Sequence, residues 1–86
     1  MFEGTAKRLI DIENDHIDYV FNATLKECFG TIPDKISLTD WFKFNQAWQT
    51  AGVFHEAKAV QMVLRDEGYN VVMDMQTCRL KYLGRL

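Results

Sequence analysis

The spacing of apolar residues changes at Gly68, and this change restricts the chain to folds that contain both helices and strands. Before this glycine the apolar residues recur with the period of an α-helix. After it they alternate with period two, in two sets that would each line one face of a strand: Tyr69, Val71 and Met73, then Cys78, Leu80 and Tyr82. With residues 74–77 as a turn, the pattern predicts an antiparallel hairpin. Because an isolated hairpin is marginal in water, it must pack on the helices.

The longest helix is predicted from about Thr5 to Phe29. The apolar residues of its main side fall within about 40° of one direction at helical spacing: Ala6, Ile10, Ile17, Phe21 and Cys28. Gly30 can close the last turn in a left-handed conformation. Lys7 and Arg8 are unfavourable in the first turn, where the helix dipole disfavours cations, so we expect fraying there.

Two further helices are predicted, at about 40–51 and 54–67, rather than one helix through Gly52. A straight helix would present its two apolar stripes about 170° apart. These stripes are Trp41, Phe44, Trp48 and Ala51, then Val53, Ala57, Val60 and Leu64. Ser37 and Asp40 have capping-box spacing at the start of the first of them. Residues 35–38 could form a short third strand or an extended tether.

The resulting prediction is an α+β fold in which three helices pack on a C-terminal two-stranded antiparallel hairpin, as one domain over residues 1–86. A hydrophobic fraction of 48% predicts a folded chain. The net charge of −2 disfavours nucleic acid and anionic membranes as partners, and no apolar run approaches a membrane span. Cys28 and Cys78 are interpreted as buried free thiols, and the chain as cytoplasmic.

The stretch GVFHEAKAV, residues 52–60, resembles the beginning of a zinc-protease helix but lacks the second histidine. Ala59 stands where that ligand would be, so His55 and Glu56 are interpreted as a solvated pair. His16 is interpreted as a partly buried histidine, and it lies about 18 Å along the first helix from Cys28, too far for a nucleophile and base. No phosphate-binding loop or nucleophile elbow is present. The sequence therefore predicts a non-enzymatic protein without a catalytic, metal or cofactor site.

The first helix carries more apolar residues than one buried side requires. Ile12 and Tyr19 point almost opposite to the main stripe, with His16 close to them, and acids follow alongside. The hairpin could cover this second side; otherwise it is an interface with a protein partner or a second copy. The strip of acids could be only the solvated face, or could contact a basic partner; a metal site is a third possibility. The predicted protein-binding residues are Asp11, Ile12, Asp15, His16, Asp18 and Tyr19.

Two other functions remain open at the level of sequence. The C-terminal segment CRLKYLGRL carries three cations with a tyrosine interleaved, so the outer hairpin face is locally basic; it could contact nucleic-acid phosphates or could be a solvated edge. The residues concerned are Arg79, Lys81, Tyr82 and Arg85. A small homodimeric structural protein is the other alternative.

The ending VLRDEGYNVVMDMQTCRLKYL, a helix closed by Gly68 and Tyr69 and followed by a short hairpin, resembles the C-terminal unit of small α+β proteins encoded by bacteriophages. The resemblance covers about a quarter of the chain. It implies a short accessory protein that binds and blocks a host protein, such as a defence nuclease, in the host cytoplasm. It assigns no role to any individual residue.

Overall fold

The computed structural model describes residues 1–31, 34–50 and 52–86, and it confirms the predicted α+β fold. The elements in chain order are α1 (Glu3–Phe29), α2 (Leu38–Thr50), α3 (Val53–Asp66), β1 (Tyr69–Met73) and β2 (Leu80–Arg85). At about 1.5 Å per residue, the 27 residues of α1 account for the longest dimension of the molecule, 41 Å. The other elements pack along this helix.

The C-terminal end of α1 is where it was predicted, and the N-terminal end lies earlier in the chain than predicted. Gly30 is left-handed (φ 76°), and its N–H donates to the Lys26 carbonyl at 2.7 Å. The helix begins at Glu3, two residues before the predicted start. Lys7 Nζ lies 3.3 Å from Glu3 Oε1. The unfavourable interaction of Lys7 with the helix dipole is therefore offset by Glu3, an acid in the first turn, where negative charge stabilises the helix.

The break at Gly52 is confirmed. This glycine is left-handed (φ 79°) and separates α2 from α3. Ser37 Oγ accepts the Asp40 N–H at 3.2 Å, as the capping-box spacing predicts. Ala51, the predicted last residue of the α2 stripe, lies outside the described residues.

The possible third strand near residues 35–38 is wrong: residues 35–37 are not a strand, and α2 already begins at Leu38. Ile36 is half-buried against the core. The segment is therefore the extended tether that was the alternative to a strand. Within the described chain the sheet has two strands, β1 and β2. At Leu80 the outer edge of β2 is bonded instead by a side chain of α1, because Asn14 Nδ2 donates to the Leu80 carbonyl (2.9 Å) and Asn14 Oδ1 accepts its N–H (2.7 Å).

The hairpin has the predicted inner face. Val71 pairs with Tyr82 and Met73 with Leu80, in antiparallel register. The turn is closed by Asp74, whose carboxylate accepts the N–H groups of the second and third residues after it, at 2.8 and 3.0 Å. These bonds hold the pKa of Asp74 below its usual value.

The core lies between α1, the other two helices and the inner side of the hairpin. Its buried apolar residues are Ala6, Ile10, Ile17, Leu25, Phe44, Trp48, Val53, Ala57, Leu64, Tyr69, Val71, Cys78 and Leu80. Phe21 joins α1 to α2 through edge-to-face contacts with Phe44 and Trp48, with ring centroids 4.9 and 5.1 Å apart. Cys78 is a buried free thiol as predicted, and burial raises its pKa. The prediction for Cys28 is wrong: it is exposed, because Leu25 and Phe29 pack against the core at that end of α1.

Candidate functional site

The side of α1 that faces away from the hairpin carries large apolar side chains in contact with solvent. Ile12 is 56% exposed and Tyr19 is 74% exposed, and Leu9 is also exposed. Together with His16 these residues follow one another at spacings of three, four and three, which places them in one line along the helix. We call Leu9, Ile12, His16 and Tyr19 the outer seam.

The hairpin does not cover the outer seam. It contacts α1 through Asn14, which bonds Leu80, and through Asp18, which forms an ion pair with Arg79. Asn14 lies about 160° around the helix from Ile12. The alternative in which the hairpin fills the second apolar side of the first helix is therefore wrong.

An apolar groove runs beside the outer seam, between α1 and α3, and has a volume of about 260 Å³. Its lining residues are Leu9, Ile12 and Glu13 from α1, with Ala59, Val60, Val63 and Leu64 from α3. We call this the α1/α3 groove. The volume falls below the roughly 300–1,000 Å³ of small-molecule sites, so the groove is suited to a few side chains rather than to a metabolite. Val63 and its neighbour Met62 are exposed, which leaves the α3 side of the groove open to solvent.

A carboxyl group forms part of this apolar wall. Glu13 is only 8% exposed, and its Oε1 atom has no hydrogen-bond partner among the described residues. Burial raises the pKa of Glu13, and the charge of the neighbouring Glu56 and a side-chain hydrogen bond to it raise the pKa further, while His16 acts in the opposite direction. The α1/α3 groove thus contains an acid whose hydrogen-bonding capacity is not fully used.

His16 is not partly buried as predicted. It lies at the surface, with its Nε2 atom 3.6 Å from Glu56 Oε2. The reason is that α3 passes beside α1 without covering this position. The predicted solvated pair His55 and Glu56 is exposed, as expected, but Glu56 also contacts the α1 side.

The structure brings together only some of the six residues predicted to bind protein. Ile12, His16 and Tyr19 share the outer seam, and Asp15 is exposed about 40° around the helix from Tyr19, whereas the exposed Asp11 lies on the same side as Asp18. Asp18 lies toward the hairpin, where its ion pair with Arg79 ties α1 to the turn. That pairing makes Asp18 part of the scaffold.

The four residues considered for nucleic-acid binding do not form one basic face. Arg79 is paired with Asp18, and Arg85 Nε lies 3.6 Å from Glu3 Oε2. Tyr82 packs against the core on the inner side of the hairpin. Lys81 alone of the four is an exposed cation without an ion pair to the described residues. Strand alternation turns residue 82 inward, and a register shift between residues 69 and 71 directs Arg85 toward α1.

Across the described residues, no group of three or more His, Cys, Asp or Glu side chains is arranged to hold a metal ion. In the same residues, none of the helices has the length and hydropathy needed to cross a membrane.

Comparison of the chain with protein-family models, with curated proteins and with solved structures gives no significant match. The geometry of the outer seam and the α1/α3 groove is therefore the basis for assigning a function.

Sequence reasoning did not include Leu9, Glu13 or Val63. The three-four-three spacing from Leu9 to Tyr19 is visible in the sequence and would have added Leu9 to the predicted surface. Glu13 and Val63 belong to the site because α1 packs beside α3, and spacing within one helix does not report which helix lies next to it.

Proposed function

We propose that this protein is a small non-enzymatic binding module that docks on another protein through the outer seam and the α1/α3 groove. The observation that carries the proposal is the exposure of Ile12 and Tyr19 on one side of α1, next to an open apolar groove. Apolar residues that form a connected surface usually mark interaction sites, whereas single exposed ones do not. Exposed tyrosine is also among the residues that contribute most to binding energy when a partner buries it.

Charge supports a basic partner surface. Asp15 lies exposed beside the outer seam, about 40° around the helix from Tyr19, and Glu56 is exposed on the α3 side. Acids placed around an apolar centre accelerate association with a positively charged surface and disfavour an acidic one.

The proposal includes occlusion of a functional surface on the partner. Its support is the resemblance of the C-terminal helix and hairpin to small phage-encoded proteins. A cytoplasmic location belongs to the same proposal, and the free thiols of Cys28 and Cys78 are in keeping with a reducing compartment.

The test is affinity capture with the tagged protein from cells of the native host, followed by mass spectrometry. Replacing Asp15→Asn and Tyr19→Ser together should reduce recovery of the partner by roughly tenfold or more, since loss of a central aromatic contact costs about 2 kcal/mol. Leu83→Ser, at an exposed apolar position on the hairpin, is the matched control and should capture the partner normally.

Circular dichroism separates binding from folding in this test. Both variants should keep the helical spectrum of the parent, because the substituted side chains are exposed. Equal capture by the double variant and the parent would refute the docking surface. Sedimentation at serial dilution provides a further check: reversible dissociation that the double variant abolishes would show that the seam joins two copies of this chain instead.

A further inference from the structure

We propose that the α1/α3 groove receives an amphipathic helix of the partner and that Glu13 selects a lysine or arginine on it. This inference depends on the proposed binding function and specifies the chemistry of the partner. It follows from three properties of the site: the spacing of the outer seam, the unused carboxylate oxygen in the groove, and the sign of the charges around it.

The spacing of the outer seam is that of a helix-contact surface. Leu9, Ile12, His16 and Tyr19 repeat the three-four spacing by which one helix meets another along its length. The groove beside them is formed by two helices and is open along Val63. A third helix lying there would insert apolar side chains between α1 and α3, as in helix-in-groove recognition.

Glu13 determines which side chain that helix should carry in its centre. Glu13 is one of the residues that line the groove, and its Oε1 atom, which is buried from solvent, lacks a hydrogen-bond partner within the described chain. A lysine or arginine from the partner would supply an N–H donor and a compensating charge in a site of low polarity, where charge-assisted bonds are strong. An apolar side chain would leave the oxygen without a partner, and an acid would add a third carboxyl group to Glu13 and Glu56.

The same charges argue against a second copy of this chain as the occupant. Between Leu9 and Tyr19 every formally charged residue of α1 is an acid, and of these only Asp18, which faces the hairpin, has an ion pair among the described residues. In a two-fold dimer this surface would meet itself, so these acids would face like charges. A basic helix from a different protein is complementary to them.

The experiment uses synthetic amphipathic peptides of about 18 residues, a length that supports a helix in solution. Each has leucines at three-four spacing on a background of alanine and glutamine, and a central position occupied by lysine, norleucine or glutamate. Binding to the full-length protein is followed by NMR through the methyl groups of Leu9, Ile12 and Val63. The lysine peptide should shift these signals and bind at least tenfold more tightly than the norleucine peptide, and the glutamate peptide should bind most weakly.

Glu13→Gln is the variant that tests the role of the carboxylate. It should reduce the preference for lysine over norleucine to less than threefold while the norleucine peptide still binds. Glu27→Gln, at an exposed position near the other end of α1, is the matched control and should keep the full preference. The amide and methyl spectra of both variants establish that the fold is retained, and Ile12→Ala should weaken all three peptides to a similar degree.

Several results would overturn the inference. Equal affinity for lysine and norleucine peptides, shifts that map away from the groove, or a lysine preference that survives in Glu13→Gln would each do so. Methyl signals that change on dilution without peptide would assign the groove to a second copy. If capture of the native partner depends on Asp15 and Tyr19 but no lysine preference is found, the proposed function stands and this inference fails. If the lysine preference is found but capture of the native partner does not depend on Asp15 and Tyr19, the groove prefers a cation and the proposed docking role fails.

Discussion

The two sides of α1 carry similar apolar residues in different surroundings. Ile17, on the inner side, is 1% exposed, because α3 and the hairpin pack over that side. Ile12, five residues earlier on the outer side, remains more than half in water. Composition is nearly the same on both sides, so burial here is decided by which elements lie against the helix. An apolar side chain that the fold leaves uncovered is available to a partner.

Two neighbouring polar residues of α1 are equally buried but differ in their hydrogen bonds. Asn14, on the inner side, has both ends of its amide bonded to one residue of β2, which joins positions 66 apart in the chain. Glu13, next to it in sequence, lines the groove, and its buried Oε1 atom has no hydrogen-bond partner among the described residues. The amide of Asn14 is satisfied by the fold, whereas one oxygen of Glu13 is not satisfied by the described residues.

The largest effect on stability should come from truncating Ile17, and truncation of Ile12 is the comparison. Ile17→Ala should lower the free energy of unfolding by about 2–5 kcal/mol, since it removes a fully buried side chain and leaves a cavity. Ile12→Ala should change it by less than about 0.5 kcal/mol, because the side chain is largely solvated and alanine favours a helix. Urea denaturation followed by circular dichroism measures both. Similar losses for the two variants would show that Ile12 also belongs to the core.

A smaller effect is expected for the asparagines of the same helix. Asn14→Ala should lower the free energy of unfolding by about 2 kcal/mol, because the buried N–H and carbonyl of Leu80 both lose their partner. Asn22→Ala, at an exposed position, should have an effect below about 0.5 kcal/mol and serves as the control. Amide hydrogen exchange at Leu80 should accelerate in the first variant only. Unchanged protection there would mean that the hairpin does not depend on Asn14.

The smallest effect concerns Glu13 and depends on pH. The pKa of Glu13 is raised in the folded protein, so its contribution to stability is complete below the unfolded pKa and is lost as the pH rises through the folded pKa. The Glu13→Gln variant should therefore gain in melting temperature relative to the parent as the pH rises above about 4.3. The gain should level off once the pH exceeds the raised folded pKa, because Glu13 is then ionised in both the folded and the unfolded protein.

Thermal melts of the parent and Glu13→Gln between pH 4 and 8 make this measurement. Comparing the two proteins cancels the opposite contribution of Asp74, whose pKa is lowered in the fold. A difference in melting temperature that stays constant with pH would show that folding does not raise the pKa of Glu13.

Local signals in the sequence were sufficient to predict the elements. Gly30 ends α1, Gly52 separates α2 from α3, and the alternation after Gly68 produces the hairpin with Leu80 on its inner side. Each depends on backbone conformation or side-chain period within a few residues. The incorrect predictions involve contacts over longer distances: Cys28 is exposed because other residues fill the core at its end of the helix, and His16 is exposed because α3 does not cover it.

The candidate site divides in the same way. Ile12 and Tyr19 could be placed on a second apolar side of the first helix from their angles alone. Whether the hairpin or solvent would meet that side could not be decided from angles, because several packings of three helices and a hairpin satisfy the same pattern. The pairing of Asp18 with Arg79 and of Arg85 with Glu3 likewise required the packing of the hairpin on α1.

The sequence by itself determined the three helices and the C-terminal hairpin, with helix starts one or two residues from those observed, and it showed that the first helix is apolar on two sides. These features depend on interactions between residues near one another in the chain. The tertiary structure decided which side is covered, that Asn14 completes the edge of β2, and that Glu13 lies in an open groove between α1 and α3. Such outcomes depend on which surfaces meet, and that choice follows from the packing of the whole chain rather than from any segment of it.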